Sequence, residues 1–254
     1  TLARLQAFQV QRDRLLADLE PRSIRPAGCI VGEPTGMRPV VAHKGRKSWR
    51  CRVRGHEAHS SLTPHGVNAV EIAARLVTRL SDIARRFCDE GTRDVGYDVA
   101  YTTVHVGTIR GGTAVNIVPR DCTFDFEVRH LPFDDPDDVF AEVRALAQTY
   151  LPAMHAIAPD TGIAFDPLSS MPGFDTVDGS EIAELGHHCS GESGAGKVSF
   201  GSEAARFHAA SIPTIVCGPG HIAQAHQPNE WCALDQLAAC ERFMRRLAAR
   251  LHAA

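Results

Sequence analysis

Two segments of the chain alternate strictly between apolar and polar residues, as β-strands do when only one face is buried. In residues 48–55, Trp49, Cys51 and Val53 alternate with three arginines. Residues 122–129 repeat the pattern, with cysteine, two phenylalanines and valine alternating with threonine and charged residues. Shorter apolar runs bounded by turn residues predict further strands at 27–33, 99–109, 162–165, 197–200 and 214–217.

Apolar residues that recur every three or four positions predict helices between these strands. The predicted helices cover residues 67–88, 137–151, 180–189, 203–210 and 234–251. The first 26 residues show little strand character and only a moderate helical phase, carried by Leu5, Phe8, Leu15, Leu16 and Leu19.

The order of these elements predicts an α/β protein in which one module interrupts another. Residues 46–167 read β-α-β-β-α-β, which is the order of a ferredoxin-like two-layer sandwich. Residues 1–45 and 168–254 alternate strands with helices, as a layered α/β domain does. We therefore expect three segments, 1–45, 46–167 and 168–254, of which the first and last form one domain.

Composition narrows the classes of partner. Hydrophobic residues make up 44% of the chain and charged residues 22%, as in folded globular proteins. The net charge of −3 lacks the basic excess of a nucleic-acid-binding protein. No run approaches the ~18 apolar residues of a membrane helix, and residues 1–20 lack the apolar core of a signal peptide. We expect a cytoplasmic protein with a small-molecule partner, no nucleic acid and no membrane, and eight cysteines that are reduced thiols without a C-x-x-C pair.

Two apparent motifs are set aside because their context is wrong. Residues 191–198 match the G-x-x-x-x-G-K part of a phosphate-binding loop, but Val198 replaces the hydroxyl residue and the order is helix then strand. Ser60 and Ser61 beside His59 are neighbours in sequence, which is not how a serine triad is assembled.

Carboxylate and imidazole groups occur in two loops that follow buried strands. Glu33 lies in the turn Gly-Glu-Pro-Thr, and residues 218–230 place His221 and His226 in a loop stiffened by glycine and proline. Loops at strand ends are where α/β sheets build their sites, and this donor pair suits zinc or cobalt, with Glu230 available to orient an imidazole. The alternative is a salt-bridged glutamate and histidines that only stabilise the loop.

The segments that carry these residues resemble the M20 metallopeptidase family, and within it the branch of the acetylornithine deacetylases. The resemblance rests on residues 29–45 (CIVGEPTGMRPVVAHKG), 54–69 (RGHEAHSSLTPHGVNA), 102–129 (TTVHVGTIRGGTAVNIVPRDCTFDFEVR) and 216–230 (VCGPGHIAQAHQPNE). It extends from about residue 24 to the C-terminus.

The resemblance implies a site for each of five residues. Glu33 and His226 match ligands to the two ions, zinc or cobalt, of a two-metal centre. His59 matches a histidine that reaches across a homodimer to stabilise the tetrahedral oxyanion, and Asn116 and Arg129 match residues that grip the substrate carboxylate. The implied fold is a zinc-peptidase α/β domain with an inserted ferredoxin-like lid that forms the dimer. The implied reaction converts N-acetyl-L-ornithine and water into acetate and L-ornithine, in arginine biosynthesis.

The family's upstream half carries a His-x-Asp motif and an acidic pair, and neither occurs here. Residues 5–13, where the acidic pair is expected, contain no adjacent acids. We therefore expect the chain to correspond to the C-terminal portion of such a hydrolase and to be incomplete as an enzyme in this form. Two alternatives stay open: a non-catalytic dimerisation or ligand-binding protein, and a hydrolase of another N-acyl amino acid, such as a desuccinylase or an aminoacylase.

Overall fold

The structure, a computed structural model, describes residues 25–225 and 227–252. The helical phase predicted for the first residues and the candidate ligand His226 thus lie outside the described residues. The chain divides into two compact units. The central unit is Lys44–Gly173, and the flanking unit comprises the chain up to His43 and from Phe174 onwards. The predicted module, 46–167, lies inside the central unit.

The strands of the described residues are β1 (Cys29–Val31), β2 (Val40–His43), β3 (Gly45–Arg54), β4 (Thr103–Gly111), β5 (Asp121–His130), β6 (Gly162–Met171), β7 (Phe174–Asp175), β8 (Gly196–Val198) and β9 (Thr214–Val216). The helices are α1 (Ala69–Glu90), α2 (Pro136–Ile157), α3 (Glu181–Ser190), α4 (Ala204–Ala209) and α5 (Leu234–His252). Short 3₁₀ turns cover Ser60–His65 and Ile222–Gln224. Among the described helices, none combines the length and apolar character that crossing a membrane requires.

The central unit confirms the ferredoxin-like prediction. Its sheet has the order β4-β5-β3-β6, with every neighbouring pair antiparallel, and α1 and α2 pack on one face. Trp49 of β3 stacks on Phe126 of β5 and on Phe140 of α2, with ring centroids 5.2 Å apart in both pairs. The alternation in β3 and β5 thus places their apolar residues between sheet and helices.

The opposite face of this sheet carries paired charges. Arg50 of β3 donates two hydrogen bonds to the carboxylate of Asp125 on β5, at 2.7 and 2.8 Å. Arg52 of β3 forms an ion pair with Asp166 of β6 at 2.5 Å. Because the arginines alternate with buried residues, they line the polar side of the sheet.

The flanking unit is a layered α/β structure, as predicted. Its sheet has the order β1-β9-β2-β7, with β8 paired to β2, and β1 runs parallel to β9. Val40 packs near Ala204 of α4, whereas its neighbour Val41 packs near Ile182 of α3. Since adjacent strand residues point to opposite faces, helices cover both sides of this sheet.

Several predicted bounds are wrong for physical reasons. The strand predicted at 162–165 continues as β6 to Met171, where polar residues at the sheet edge break the apolar pattern. The strand predicted from residue 99 begins at Thr103, because Thr102 instead uses its hydroxyl to accept the backbone N–H of Leu131 at 2.9 Å. The short strands β2 and β7 were not predicted.

Candidate active site

Backbone hydrogen bonds join the loop that carries His59 to the loop that carries Asn116. The N–H of Ser60 donates to the carbonyl of Asn116 at 3.0 Å, and the N–H of Val118 donates to that of Ala58 at 2.8 Å. Between them, His59 forms an antiparallel bridge with the residue after Asn116. Two of the predicted site residues therefore lie side by side, held by main-chain bonds that do not depend on their side chains.

The ring of His59 is fixed by the turn that follows it. His59 is the N-cap of the 3₁₀ turn Ser60–His65. Its Nδ1 lies 3.2 Å from the backbone nitrogen of Ser61, whose N–H donates to it, and 2.8 Å from the Ser61 hydroxyl. His59 is exposed, so its imidazole can reach a ligand outside this loop.

Arg129 lies at the other end of the same sheet. Asp121, which begins β5 just after the Asn116 loop, pairs with Arg54, whereas Arg129 pairs with Thr103 at the start of β4. At about 3.3 Å per residue, the eight steps of β5 between Asp121 and Arg129 span roughly 26 Å. One copy of the chain therefore does not bring Asn116 and Arg129 together on one small ligand.

A carboxylate orients the Arg129 guanidinium. Glu127, two residues earlier on the same face of β5, accepts a hydrogen bond from Arg129 Nε at 2.8 Å. Its other carboxylate oxygen lies 3.8 Å from Nε of Arg46. The Arg129 side chain is about one third exposed. Its Nε edge is thus held by protein, while part of the guanidinium reaches solvent.

In the flanking unit, the Glu33 turn follows β1 and is bound to the segment that follows β9. The N–H groups of Thr35 and Met37 donate to the carbonyl of Gly218 at 3.1 and 2.9 Å. A Cβ on Gly218 would lie 2.6 Å from the Glu33 carbonyl oxygen, so this close approach requires glycine. Glu33 therefore lies at the carboxyl end of a parallel strand pair, beside the start of the loop that leads to His226.

The described residues do not by themselves fit a two-metal centre. They contain no group of three or more histidine, cysteine, aspartate or glutamate side chains that could hold an ion. A catalytic zinc site usually uses about three protein ligands, and Glu33 supplies one. Any site that uses Glu33 needs ligands from outside the described residues, among which His226 is one candidate.

A cavity of about 530 Å³ lies in the flanking unit beneath the Glu33 turn. Its walls come from β1, α3 and α5 and are mainly apolar, with Ile30, Leu185, Phe243 and Leu247 among them. Cys217 also lines it, and burial raises the pKa of this thiol to about 12. Glu181 is the charged side chain among the lining residues, and the remaining apolar wall offers little to the carboxylate of an amino acid.

Residues 191–198, which match part of a phosphate-binding loop, follow a helix and lead into a strand, as the sequence predicts. Gly191 ends α3 with a left-handed backbone (φ 81°), and the segment then enters β8. Lys197 Nζ lies 3.4 Å from a carboxylate oxygen of Asp175. The lysine thus neutralises a side chain of the protein.

Sequence reasoning missed three residues near these features. In the sequence, Ser61 is only a neighbour of His59, and because histidine is not among the residues that usually occupy N-cap positions, the cap carried no sequence signal. Glu127 carried no signal besides its alternation. Lys44 is only 2% exposed and donates from Nζ to the Tyr101 carbonyl at 2.5 Å, and burial lowers its pKa. Lysine is rarely buried, so nothing in the sequence predicted this.

Comparison with known proteins gives consistent matches. Residues 41–155 match the peptidase dimerisation domain of the M20 family. An acetylornithine deacetylase of Myxococcus xanthus is 33% identical over 232 residues, which cover 89% of this chain and 58% of the relative. An acetylornithine deacetylase from Proteus mirabilis (strain HI4320) is 33% identical over 212 residues, which cover 82% of this chain and 52% of that relative. The chain thus spans little more than half of these relatives and corresponds to their C-terminal portion.

Solved structures agree on the fold. A tripeptidase from Staphylococcus aureus superposes with a TM-score of 0.68 at 19% identity, covering 91% of this chain and 59% of the other. The aminopeptidase PepT from Bacillus cereus superposes with a TM-score of 0.68 at 22% identity, and the match covers 89% of this chain and 57% of the other. These matches confirm the predicted α/β fold with its inserted dimerisation module. The sequence relatives, at 33% identity over most of this chain, show that the chain belongs to the M20 peptidase family.

Proposed function

We propose that this chain is part of a metal-dependent amide hydrolase that acts on N-acyl amino acids, with N-acetyl-L-ornithine as the first candidate substrate. The observation that carries the proposal is the backbone bridge that sets His59 beside Asn116. The names of the sequence relatives support the acetyl-ornithine substrate and a role in arginine biosynthesis. A cytoplasmic location is part of the proposal, because all eight cysteines are free thiols.

The proposed roles follow from the chemistry of the side chains. Amide hydrolysis passes through a tetrahedral oxyanion, which an imidazole N–H from His59 would stabilise. The amide of Asn116 and the guanidinium of Arg129 would bind the substrate carboxylate, the latter through paired N–H donors. Glu33 and His226 would each contribute one ligand to zinc or cobalt, with the remaining ligands supplied from outside the described residues.

A homodimer through the central unit would solve the separation of Asn116 from Arg129. β4 is an edge strand of the sheet, and edge strands pair with other chains. If two copies pair antiparallel along β4, the Asn116 end of one faces the Arg129 end of the other. Exposed apolar side chains border this region and favour a partner there: Leu62, Ile109 and Val115, exposed by 53%, 51% and 102%.

The experiment that tests the proposal measures acetate release from N-acetyl-L-ornithine by the purified chain supplied with zinc or cobalt. Because the chain is expected to be incomplete as an enzyme, we expect it to release acetate far more slowly than a full-length relative assayed beside it. His59→Ala should lower the release that the chain does show, and N-succinyl and other N-acyl amino acids should be weaker competitors. Preferred hydrolysis of an N-succinyl substrate would shift the assignment to the desuccinylase alternative. Release as fast as that of the full-length relative would contradict the expectation that the chain is incomplete, and substrate binding with no release that depends on His59 would favour a non-catalytic protein.

A second candidate is a non-catalytic protein that dimerises and binds an N-acyl amino acid. It is favoured by one observation: within the part of the chain that the structure describes, three metal-ligating side chains nowhere converge. Elemental analysis after dialysis against zinc separates the two candidates. Bound metal with turnover supports the hydrolase, and ligand binding without metal supports the second candidate.

A further inference from the structure

Ser61 offers two donors to one nitrogen of His59. The backbone N–H of Ser61 donates to His59 Nδ1 at 3.2 Å, and the Ser61 hydroxyl lies 2.8 Å from the same atom. A backbone N–H can only donate, so Nδ1 must present its lone pair. In a neutral imidazole whose Nδ1 is an acceptor, the proton resides on Nε2.

We propose that Ser61 is a positioning residue that holds His59 in the tautomer with the proton on Nε2, so that Nε2–H is its working hydrogen-bond donor. Both donors of Ser61 approach the Nδ1 edge and orient the ring about its side-chain bonds. The opposite edge, with Nε2, is left to face a ligand. The oxyanion role of His59 rests on the proposed function, whereas the tautomer and the ring orientation do not.

A histidine caps a 3₁₀ turn in the flanking unit as well. Comparing the two caps distinguishes the effect of the backbone N–H from that of the hydroxyl. His221 is the N-cap of the 3₁₀ turn Ile222–Gln224, and its Nδ1 accepts the backbone N–H of Ala223 at 3.2 Å. Alanine supplies no hydroxyl, so Nδ1 of His221 accepts only the backbone donor, while the Gln224 side chain caps the same turn by accepting the His221 N–H at 2.9 Å. The hydroxyl of Ser61 is therefore an addition specific to His59, and His221 serves as an internal reference.

The direct test is the ¹⁵N NMR spectrum of the histidine rings in the full chain near neutral pH. His59 is identified by the signals that disappear in His59→Asn. We expect a non-protonated Nδ1 and a protonated Nε2, unchanged in Ser61→Thr, which keeps both donors. Ser61→Ala should shift the Nδ1 resonance of His59 while leaving that of His221 in place. A proton on Nδ1 in the wild type, or a His59 ring spectrum that is unchanged in Ser61→Ala, would overturn the proposal.

Two substitutions of His59 then separate capping from donation. Asparagine places an oxygen near the Nδ1 position and can cap the turn, whereas glutamine places an amide N–H near the Nε2 position and cannot. In His59→Gln, amide exchange at Ser61 should be about fivefold faster than in His59→Asn, the factor that loss of one ordinary hydrogen bond gives. Equal exchange in the two variants would contradict the cap.

Activity provides the readout that depends on the proposed function. If Nε2–H stabilises an oxyanion, His59→Asn should lower kcat by about 100-fold, the usual cost of losing one such donor, and His59→Gln by less. If wild type, His59→Asn and His59→Gln have equal kcat values and the ring spectrum is as expected, the oxyanion role is refuted. The positioning of His59 by Ser61 would still hold. A protonated Nδ1 would refute the positioning itself.

Discussion

His59 and Ile117 pair through their backbones in an antiparallel bridge, which ties the loop after β3 to the loop before β5. The flanking hydrogen bonds use the N–H of Ser60 and the carbonyl of Asn116. The side chain of Asn116 and the Nε2 edge of His59 thus remain available to a ligand, because the backbone holds the loops together and only Nδ1 of His59 is used by the turn. At Asn116, the backbone carbonyl stabilises the site, and the side chain would bind the ligand.

Replacing Asn116 with alanine tests these two roles. Because Asn116 contributes its carbonyl to the bridge and its side chain is exposed, we expect the free energy of unfolding to change by no more than about 0.5 kcal/mol. Affinity for N-acetyl-L-ornithine should fall in the same variant. Urea unfolding and calorimetric titration measure the two effects, with Thr113→Ala as a matched control in the same exposed loop. A large loss of stability in Asn116→Ala would mean that its side chain is structural.

Gly45 begins β3 where any side chain would overlap with its neighbours. A Cβ there would lie 2.0 Å from His130 Nε2 and 2.6 Å from the backbone nitrogen of Gly173. We expect Gly45→Ala to lower the free energy of unfolding by about 1–3 kcal/mol, as overpacking does. Gly162→Ala is the control, because nothing lies within 4 Å of its Cβ position. Equal stability of the two variants in urea would show that the crowding at Gly45 is relieved cheaply.

The Arg50–Asp125 pair makes the stability of the central unit depend on pH. The guanidinium of Arg50 lowers the pKa of Asp125 below its ordinary value. A carboxyl group whose folded pKa is depressed stabilises the fold above its unfolded pKa, and that contribution is lost as pH falls through the folded pKa. We expect Asp125→Asn to be less stable than wild type at neutral pH, by about 1 kcal/mol or less for such a partly exposed pair.

The test is urea unfolding of both proteins from neutral pH down through the acid range. The difference between wild type and Asp125→Asn should shrink as the pH falls. A difference that stays constant would mean that Asp125 acts through hydrogen bonding or packing and not through its charge.

Buried thiols should resist alkylation in the folded chain. Burial raises the pKa of Cys51 and of Cys217 to about 12, so few of these groups are thiolates at pH 8. Cys88 and Cys232 are partly exposed and should react with iodoacetamide first. Mass spectrometry of timed samples identifies each site, and all four should react in urea. Labelling of Cys51 as fast as Cys88 without denaturant would show that the central unit opens readily.

The alternation of residues at 48–55 and 122–129 predicts both strands and the face that each buries. Because side chains alternate with a period of two, a shift of one residue would move every apolar side chain from the buried face to solvent. The second half of β6 escaped prediction because Asp166 and Ser169 lie on an edge strand without a continuous apolar face. Strand bounds at sheet edges therefore depend on tertiary pairing more than on local pattern.

The candidate site was accessible to sequence reasoning only residue by residue. The motifs marked Glu33, His59, Asn116 and Arg129, but which of them meet depends on the strands that separate them. The roughly 26 Å between the ends of β5 follows from its length, so the separation of Asn116 from Arg129 could have been foreseen. The burial of Lys44 could not, since it depends on a distant loop that supplies the Tyr101 carbonyl.

We propose that a binding site combines Asn116 of one copy with Arg129 of the other. The most direct measurement counts N-acetyl-L-ornithine sites by calorimetry in Asn116→Ala, in Arg129→Met and in an equimolar mixture of the two unfolded and refolded together. Each variant alone should lose its sites. The mixture should regain about a quarter of the wild-type number, because half of the dimers are mixed and each mixed dimer holds one intact site. A mixture that recovers no sites, although both variants fold and dimerise, would contradict the claim.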